Sequence, residues 1–493
     1  MFIGIDLGTS SVKMILIDHK QNILATTNSS LNVQSPKDGY NEQNPQEWID
    51  ATIECLEALK AKKPKEFSET ISMGISGHMH GSTLIDSNGN VIRPCILWND
   101  TRSHKECYEF ENQKFDIRSI SGNITMPGFT APKINWIKNN ELENFNKISK
   151  VLLPKDYLRF YLTGELFSEM SDASGTLWLD IKNRKWSSEL LSCSFLEEKN
   201  MPQLVEGNQE AGTLKKILKD KFQFNYNVIV VGGAGDNAAA AAGMGIIEQN
   251  QSFISLGTSG VFFTPTQNFL SNTSDAVHSF CHCLPNKWHL MSVMLSASNC
   301  LDWICSITNS SIKDTLINVE NFFLDKRLLE NSSFFLPYLS GERTPHNDPH
   351  IRGSFHSIKT TTDAKSMQYA VIEGVSFGIL DGINSISKVN NNFDKIFMVG
   401  GGSRSKFWIK LLSSLLRKKL SVCDQSEFGA ALGVARLAMY VDNNIDKNSI
   451  IKEIEISEDF EPNMDKINIL LKRYEIWKDL YSSNKKIASS LLT

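Results

Sequence analysis

Two Gly-Thr-Ser segments stand between short apolar runs in this 493-residue chain, and both have the residue types of a phosphate-binding turn. In such a turn, consecutive backbone N–H groups and hydroxyl groups form a concave donor site for phosphate oxygens. A single copy is more often only a hairpin turn. However, Gly257 lies 249 positions after Gly8, about half the chain length, so the pair predicts a polyphosphate bound from two sides. The predicted contacts are Gly8, Thr9, Ser10, Gly257 and Thr258.

A carboxylate accompanies only the first of these turns. Asp6 lies two residues before Gly8, whereas Ser255 occupies the matching position before Gly257. A carboxylate beside a phosphate is unfavourable unless a cation lies between them, and Mg²⁺ held partly by water is the usual solution. Asp6 is therefore a candidate Mg²⁺ residue, with a structural role in the turn as the alternative.

Asp236 is the candidate catalytic residue. It follows the apolar residues 228–231 and a glycine-rich turn, and five alanines come after Asn237. In phosphoryl transfer, a positioned carboxylate can accept the proton of the attacking hydroxyl group. An Asp at this place can equally cap the helix, and a helix N-terminus would lower its pKa. The sequence leaves both roles open.

Three consecutive glycines follow a second apolar, strand-like run. Because glycine has no β-carbon, a ligand can approach the backbone closely at such a turn. Gly400, Gly401 and Gly402 are therefore predicted to contact the nucleotide, unless they only permit a tight strand-to-helix turn.

Two polar clusters, residues 77–81 and 98–102, have the composition of a sugar site. Asp, Asn, Arg and His supply donors and acceptors for hydroxyl groups, while Met and Trp cover apolar C–H faces. Each cluster alone is more often a surface loop. The predicted substrate contacts are Met79, His80, Trp98, Asn99, Asp100, Arg102 and Asn237.

The elements that would position these residues occur once in each half. The first thirty residues alternate like a β-meander, and residues 252–263 repeat its strand-turn-strand pattern. Each half also has an apolar strand followed by glycines and a helix. This recurrence predicts an α/β protein with two related domains, residues 1–246 and 247–493, which flank a cleft. The first half carries about 80 additional residues, predicted between about 119 and 222, and an amphipathic helix over 467–481 is expected to dock on the body.

Composition argues against several partners and locations. With 51 Lys and Arg against 55 Asp and Glu, the net charge of −4 offers no basic field for nucleic acid or a membrane surface. The longest apolar run, residues 238–247, is too short to span a membrane. Nine cysteines without a C-x-x-C pair are typical of reduced thiols, and the Cys281-His282-Cys283 spacing suits zinc poorly. We expect a cytoplasmic protein, because the first residues also lack a secretion signal.

Motifs and absences together lead to one family. No G-x-x-x-x-G-K-[ST], H-R-D or D-F-G motif is present, which excludes P-loop and protein kinases. Instead, the chain resembles the FGGY carbohydrate kinases, in the superfamily of actin, hexokinase and the heat-shock chaperone ATPases. The resemblance covers nearly the whole chain, through residues 3–13, 77–81, 97–102, 126–133, 152–158, 235–237, 255–261, 278–282, 335–347 and 399–403.

The resemblance implies two ribonuclease-H-like domains around a catalytic cleft, and a transferase that uses ATP and Mg²⁺ to phosphorylate D-xylulose on its 5-hydroxyl group, in xylose metabolism. It makes Asp236 the general base, with Met79 and His80 as substrate contacts and Asp6 on the Mg²⁺ side. The turns at Thr258 and Gly401 would hold the nucleotide. His78 stands where the family more often has Gln.

Two other functions remain as alternatives. The first is a related kinase acting on ribulose, gluconate, fuculose or glycerol. The second is an actin-like or chaperone-like ATPase switch, which needs no sugar site and is therefore disfavoured by Asp236 and the two polar clusters. The expected partners are a small ketose and ATP, with a homodimer as an open alternative to a monomer.

Overall fold

Two large β-sheets with helices on their faces organise the chain, in a computed structural model that describes residues 1–423, 429–453 and 455–490. The strands of the first half are β1 (Phe2–Leu7), β2 (Ser11–Ile17), β3 (Ile23–Ser30), β4 (Glu42–Gln43), β5 (Ser72–Gly77), β6 (Thr83–Ile85), β7 (Cys95–Ile96), β8 (Lys150–Leu152), β9 (Phe167–Glu169), β10 (Leu179–Asp180), β11 (Lys185–Trp186), β12 (Gln203–Val205), β13 (Glu210–Thr213), β14 (Ile229–Val231) and β15 (Ala234–Gly235). Its helices are α1 (Pro45–Lys62), α2 (Pro64–Ser68), α3 (His104–Glu111), α4 (Ile117–Ser121), α5 (Thr130–Asn140), α6 (Leu142–Phe145), α7 (Pro154–Thr163), α8 (Met170–Ser174), α9 (Ser188–Ser192), α10 (Lys216–Phe222) and α11 (Asp236–Gly243).

The second half continues the same alternation of strands and helices. Its strands are β16 (Gln251–Leu256), β17 (Gly260–Thr266), β18 (His278–Cys281), β19 (Trp288–Met294), β20 (Phe334–Leu336), β21 (Ser354–His356), β22 (Lys395–Val399), β23 (Leu420–Cys423) and β24 (Ile456–Phe460). Its helices are α12 (Ser298–Ile307), α13 (Ile312–Leu324), α14 (Lys326–Asn331), α15 (Ala364–Ser387), α16 (Lys406–Leu416), α17 (Gly429–Met439) and α18 (Met464–Ser490). Short 3₁₀ turns lie at Glu198–Asn200, Thr273–Asp275, Gly401–Arg404 and Lys447–Ser449.

The two large sheets have the same topology. The first runs β3-β2-β1-β5-β14-β13, and the second runs β19-β17-β16-β22-β23-β24 with β18 added beyond β19. In each sheet an antiparallel meander is followed by two strands parallel to its first strand and by an antiparallel edge strand. The α/β fold class with two sheet-based domains is therefore confirmed, whereas the boundary between residues 246 and 247 stays a prediction.

The additional segment of the first half was predicted at the wrong place. In the second half, only α16 separates β22 from β23, whereas in the first half β6–β12 and α3–α9 lie between β5 and β13. The added elements therefore begin soon after Gly77, not near residue 119. They end before Glu210, because β13 is already part of the main sheet.

Helix α17 packs on the first sheet although it belongs to the second half of the chain. A β-carbon at Gly4 in β1 would overlap the carbonyl group of Ala431 in α17. On its other side, α17 packs against α11, where a β-carbon at Gly433 would overlap the carbonyl oxygen of Ala239. The absence of a side chain at Gly4 and Gly433 therefore lets α17 pack directly against the backbone of β1 and of α11. Helix α11 is the helix that begins at Asp236.

We expect Gly433→Ala to lower the free energy of unfolding by about 1–3 kcal/mol, because α11 and α17 must move apart to accept the methyl group. In a helix without such a contact, Gly→Ala is stabilising by about 1 kcal/mol. Gly429→Ala is the matched control, since a β-carbon there lies 3.6 Å from the nearest atoms of Ala240, an ordinary contact distance. Urea unfolding of both variants measures the difference, and equal stabilities would contradict the close packing.

The C-terminal helix α18 docks on the second half as predicted, although it extends further than residues 467–481. Leu470, Tyr474 and Trp477 are buried in it, and the indole N–H of Trp477 donates to the carbonyl oxygen of Phe335 at 2.8 Å. Neither α18 nor another helix within the described parts of the chain is long and apolar enough to cross a membrane.

Candidate functional site

Asp236 lies where β15 ends and α11 begins, at one edge of the first sheet. Gly235 has the extended backbone of the N-cap residue, so Asp236 is the first residue of the helix rather than the N-cap residue itself. Oδ1 of Asp236 accepts hydrogen bonds from the backbone N–H of Asn237 at 2.7 Å and from its Nδ2 at 2.9 Å. Asn237, predicted as a sugar contact, therefore orients the carboxylate of Asp236.

The electrostatic environment makes Asp236 a better base than an ordinary aspartate. Burial raises the pKa of Asp236 to about 6, the hydrogen bonds from Asn237 oppose this rise, and the charge of Asp6 adds to it. The pKa of Asp236 thus lies above its ordinary value, opposite to the direction expected from a helix start, because the loss of hydration outweighs the hydrogen bonds from Asn237. A carboxylate with a pKa nearer neutrality accepts a hydroxyl proton more readily.

Asp6 shares the sheet edge with Asp236. Asp6 pairs with Ser76 across β1 and β5, and Ala234 of β15 pairs with the same residue from the other side. Neighbouring strands lie about 4.8 Å apart, so β1 and β15 are about 9.6 Å apart across β5, and the charge of Asp6 acts on Asp236. Ser76 Oγ donates to Oδ1 of Asp6 at 2.7 Å, and burial raises the pKa of Asp6.

This pair of carboxylates fits a divalent cation bound together with phosphate. Oδ2 of Asp6 accepts no hydrogen bond from any residue that the structure describes. Mg²⁺ is usually held by one or two carboxylates, with water and phosphate oxygens completing its shell. A cage made by the protein alone is not found, since no three His, Cys, Asp or Glu side chains in the described ranges are grouped to hold a metal, including those of residues 281–283.

The first phosphate-type turn follows β1 directly. The N–H of Gly8 donates to the carbonyl oxygen of Ser11 at 3.0 Å, which closes the turn. The hydroxyl group of Thr9 accepts from the indole N–H of Trp98 at 3.0 Å, and Ser10 is exposed. Trp98, predicted as a sugar contact, is partly exposed and anchors the turn through its N–H.

The second phosphate-type turn and the triple-glycine turn are neighbours. β16 and β22 run parallel, with Ser255 opposite Val399, so the turns that follow these two strands lie side by side. The carbonyl oxygen of Gly257 accepts from both the N–H and the hydroxyl group of Ser298, whereas Thr258 is exposed. The structure thus brings together the nucleotide contacts predicted in the second half.

The three glycines differ in what requires them. Gly400 has a positive φ of 85°, and a β-carbon at Gly402 would lie 2.7 Å from the β-carbon of Leu256. The backbone conformation therefore requires a glycine at position 400, and packing against Leu256 requires one at position 402. A β-carbon at Gly401 would meet no atom within 4 Å, so only a ligand could require a glycine there.

We expect Gly401→Val to raise the KM for ATP at least about tenfold while the melting temperature stays unchanged, because the side chain fills only ligand space. Gly401→Ala should give a smaller rise in the same direction. Gly402→Val provides the contrast, since it should destabilise the protein with or without ATP. Steady-state kinetics and thermal unfolding separate these effects. ATP affinity that is unchanged in a folded Gly401→Val variant would exclude this turn from the nucleotide site.

Met79 and His80 follow β5, one strand away from Asp6 and Asp236. Met79 is buried, and a β-carbon at Gly235 would lie 3.0 Å from its Sδ. His80 has a positive φ of 71°, a backbone conformation that residues other than glycine seldom adopt. The turn therefore lies beside the candidate base, as the sugar prediction requires.

His80 is held as a neutral acceptor. Its Nδ1 lies 2.7 Å from the carbonyl oxygen of Gly175, and because a carbonyl can only accept, Nδ1 carries the proton. Burial lowers the pKa of His80 to about 3. The other nitrogen, Nε2, is then an acceptor suited to a sugar hydroxyl group.

Asp100 and Arg102 are already paired with protein groups. Both oxygens of Asp100 accept from the guanidinium of Arg102 at 2.7–3.0 Å, and Arg102 lies 2.7 Å from Glu42. A sugar would have to compete with these ion pairs, and the role of both residues as substrate contacts stays a prediction. They fix the loop that presents Trp98 and the exposed Asn99.

A buried ionic cluster behind the candidate base was not predicted. Ser171 Oγ accepts from the N–H of Gly235 at 3.0 Å and donates to Glu169 at 2.8 Å. Lys155, fully buried, lies 3.6 Å from Glu169 and 3.3 Å from Asp172. The cluster thereby fixes the backbone immediately before Asp236. No local sequence pattern could predict this cluster, because its members come from three separate elements.

The second half of the chain also contributes residues near His80, on the side of the site where the sugar is predicted to bind. The sequence predicted only first-half residues there. The ring of Phe129 lies 4.8 Å from that of His80 and 5.7 Å from that of His278 in β18. The sequence contained a sign of this contribution, since residues 278–282 and 335–347 are among the segments that resemble the family.

Comparisons with known proteins identify the family to which this chain is similar. The model of the FGGY family of carbohydrate kinases, N-terminal domain, matches residues 1–243, and that of its C-terminal domain matches residues 252–441. A xylulose kinase of Escherichia coli strain K12 is 41% identical over 98% of this chain and 98% of its own.

Solved structures give the same result. The crystal structure of a protein from Brucella ovis, described as a xyloylose kinase, superposes with a TM-score of 0.94 at 43% identity, covering 98% of this chain and 99% of that one. A Plasmodium falciparum glycerol kinase with ADP has a TM-score of 0.87 at 20% identity, covering 98% of each chain, and shows likeness of fold alone.

Proposed function

The chain belongs to the FGGY family of carbohydrate kinases, and we propose that it transfers the γ-phosphoryl group of ATP to D-xylulose, giving D-xylulose 5-phosphate and ADP. Similarity to xylulose kinases along almost the entire chain supports the substrate. The observation that carries the reaction type is the carboxylate of Asp236, oriented by Asn237 and held with a raised pKa at the sheet edge that also carries the Gly8 turn.

Asp236 acts as the general base. The 5-hydroxyl group of the ketose donates its hydrogen bond to this carboxylate, which orients the oxygen for in-line attack on the γ-phosphorus. In a loose phosphoryl-transfer transition state the proton leaves late, so correct placement of the base matters more than strong basicity. Asn237 and the cluster at Ser171 keep the carboxylate in place.

The phosphates are bound by backbone N–H groups and hydroxyl groups of the two Gly-Thr-Ser turns, and the adenosine part lies along the triple-glycine turn. Asp6 would hold Mg²⁺ through one oxygen and water. When bound, Mg²⁺ neutralises charge on the transferring phosphoryl group. Met79 covers a C–H face of the sugar and Nε2 of His80 accepts from one of its hydroxyl groups.

The substrate is tested with a panel of acceptors. With ATP and Mg²⁺, we expect kcat/KM for D-xylulose to exceed that for L-ribulose, gluconate, L-fuculose and glycerol by at least roughly tenfold. A related kinase acting on another sugar is the second candidate, and a higher kcat/KM for one of these would establish it. ATP turnover that no sugar stimulates would favour an ATPase switch.

We also propose residues 1–246 and 247–493 as the two domains, with the cleft between them. Location in the cytoplasm is supported by nine cysteines without a C-x-x-C pair. Sedimentation analysis would distinguish a monomer from a homodimer.

A further inference from the structure

Arg343 lies on a loop of the second half that the protein holds rigidly. Oε1 of the buried Glu342 accepts from the backbone N–H of Arg343 at 2.7 Å and from that of Leu295 at 3.0 Å. Thr344 bonds Val293 in both directions, at 3.0 and 3.1 Å. The backbone on both sides of Arg343 is therefore fixed to β19 and the residue that follows it.

The guanidinium of Arg343 has no partner among the residues that the structure describes. Across residues 1–423, 429–453 and 455–490 it makes no hydrogen bond and no ion pair, although the residue is only partly exposed. The adjacent carboxylate of Glu342 is engaged by backbone N–H groups instead. A partly buried guanidinium with five unused donor hydrogens is costly unless a ligand or water accepts from it.

The surroundings place this guanidinium on the sugar side of the site. Its Nη2 would lie 3.7 Å from a β-carbon added at Gly128, and the same β-carbon would lie 2.7 Å from the carbonyl oxygen of Trp98. Burial is the main cause that lowers the pKa of His80 and of His278, and the charge of Arg343 adds to it. Since the ring of Phe129, the residue after Gly128, lies 4.8 Å from that of His80 and 5.7 Å from that of His278, Arg343 lies near these two histidines.

A second polar group beside it is also unsatisfied. His278 is 3% exposed, its ring lies 5.7 Å from that of Phe129, and its Nε2 has no hydrogen-bond partner within the described chain. A neutral histidine nitrogen and a guanidinium without partners, in one region, point to a polar ligand that fills both.

We propose that Arg343 binds the C2 carbonyl oxygen of the open-chain ketose and so selects ketoses over polyols, an inference that rests on the proposed kinase function. A carbonyl oxygen only accepts, and a guanidinium only donates, so the two are matched. The opposite end of the same sugar then carries the 5-hydroxyl group to Asp236.

The chemistry of the substrate gives this contact a further role. In a 2-ketopentose the furanose ring forms when the 5-hydroxyl oxygen adds to C2. The ring form therefore has no free 5-hydroxyl group to phosphorylate. A donor that binds the C2 carbonyl oxygen favours the open chain, which is the only reactive form.

A substrate–variant cycle tests the contact. The probe is the 2-deoxypentitol of matching configuration, pentane-1,2,3,5-tetrol, which has a methylene group in place of the C2 carbonyl group of the ketose. We expect Arg343→Met to lower kcat/KM for D-xylulose roughly 30- to 100-fold, as for loss of a charged hydrogen bond, and to change kcat/KM for the tetrol less than about threefold. Arg352→Met, on an exposed arginine of the same loop, is the control and should leave both values unchanged.

Several results would overturn the inference. Equal losses on both substrates would mean that Arg343 acts on the phosphoryl group or on the architecture, and no loss would mean that it does not touch the sugar. If Arg343→Met does not fold, Arg343→Lys keeps the charge without the planar fork and should still lose about tenfold on D-xylulose only. A wild-type enzyme inactive on D-xylulose would instead contradict the proposed function.

Discussion

Asp236→Asn is expected to lower kcat by about 10²- to 10⁴-fold, as for loss of a general base, while the protein stays folded. An asparagine oxygen can accept the same two hydrogen bonds from Asn237 but cannot take a proton. Because burial raises the pKa of Asp236 in the folded chain, ionisation of this group disfavours folding as the pH rises from about 4 towards 6. The variant should therefore melt at the same temperature as the wild type or higher.

Two measurements accompany this variant. Asp314→Asn, the same change in the first turn of the surface helix α13, is the control and should leave kcat unchanged. In the wild type, kcat/KM should fall about tenfold per unit below pH 6, since the protonated base is inactive. Full activity of Asp236→Asn, or inactivity explained by unfolding, would return Asp236 to a structural role.

Asp6→Asn should produce the second large effect, a fall in kcat of about 100-fold at millimolar Mg²⁺. The rate of this variant should also depend much less on the Mg²⁺ concentration than the rate of the wild type. Asparagine keeps the hydrogen bond from Ser76 but loses the charge. Removing this charge should also lower the pKa of Asp236, because Asp6 raises it. The acidic limb of the remaining activity should then move to lower pH.

The control for Asp6 is Asp38→Asn, an exposed carboxylate of the same domain, which should change neither rate nor Mg²⁺ dependence. Rates are measured over a Mg²⁺ series at several pH values. A variant at Asp6 with the Mg²⁺ dependence of the wild type would exclude this residue from the cation site.

Local patterns in the sequence predicted the elements better than the environments of their side chains. The hairpins at Gly8 and Gly257 were predictable because alternation and turn residues act over a few positions. The raised pKa of Asp236 depends on burial and on Asp6, which are distant in sequence. No pattern in the residues around Asp236 could therefore decide between cap and base.

Side chains with distant partners were the hardest to interpret. Asp100 and Arg102 look like sugar ligands in sequence, but Glu42, about 60 positions earlier, takes up part of that capacity. Arg343 lies in a loop without periodicity, and only the folded chain shows that no described residue pairs with its guanidinium. A residue's availability for a ligand is a property of its surroundings, which local sequence does not contain.

The central claim is transfer of phosphate from ATP to the 5-hydroxyl group of an open-chain ketose. We would incubate the wild-type protein with ATP, Mg²⁺ and D-xylulose labelled with ¹³C at C5, and follow the products by ³¹P and ¹³C NMR. We expect one sugar phosphate for each ADP formed, with phosphorus coupled to the labelled carbon. Formation of ADP and inorganic phosphate without a sugar phosphate, or phosphorus bound at another carbon, would contradict it.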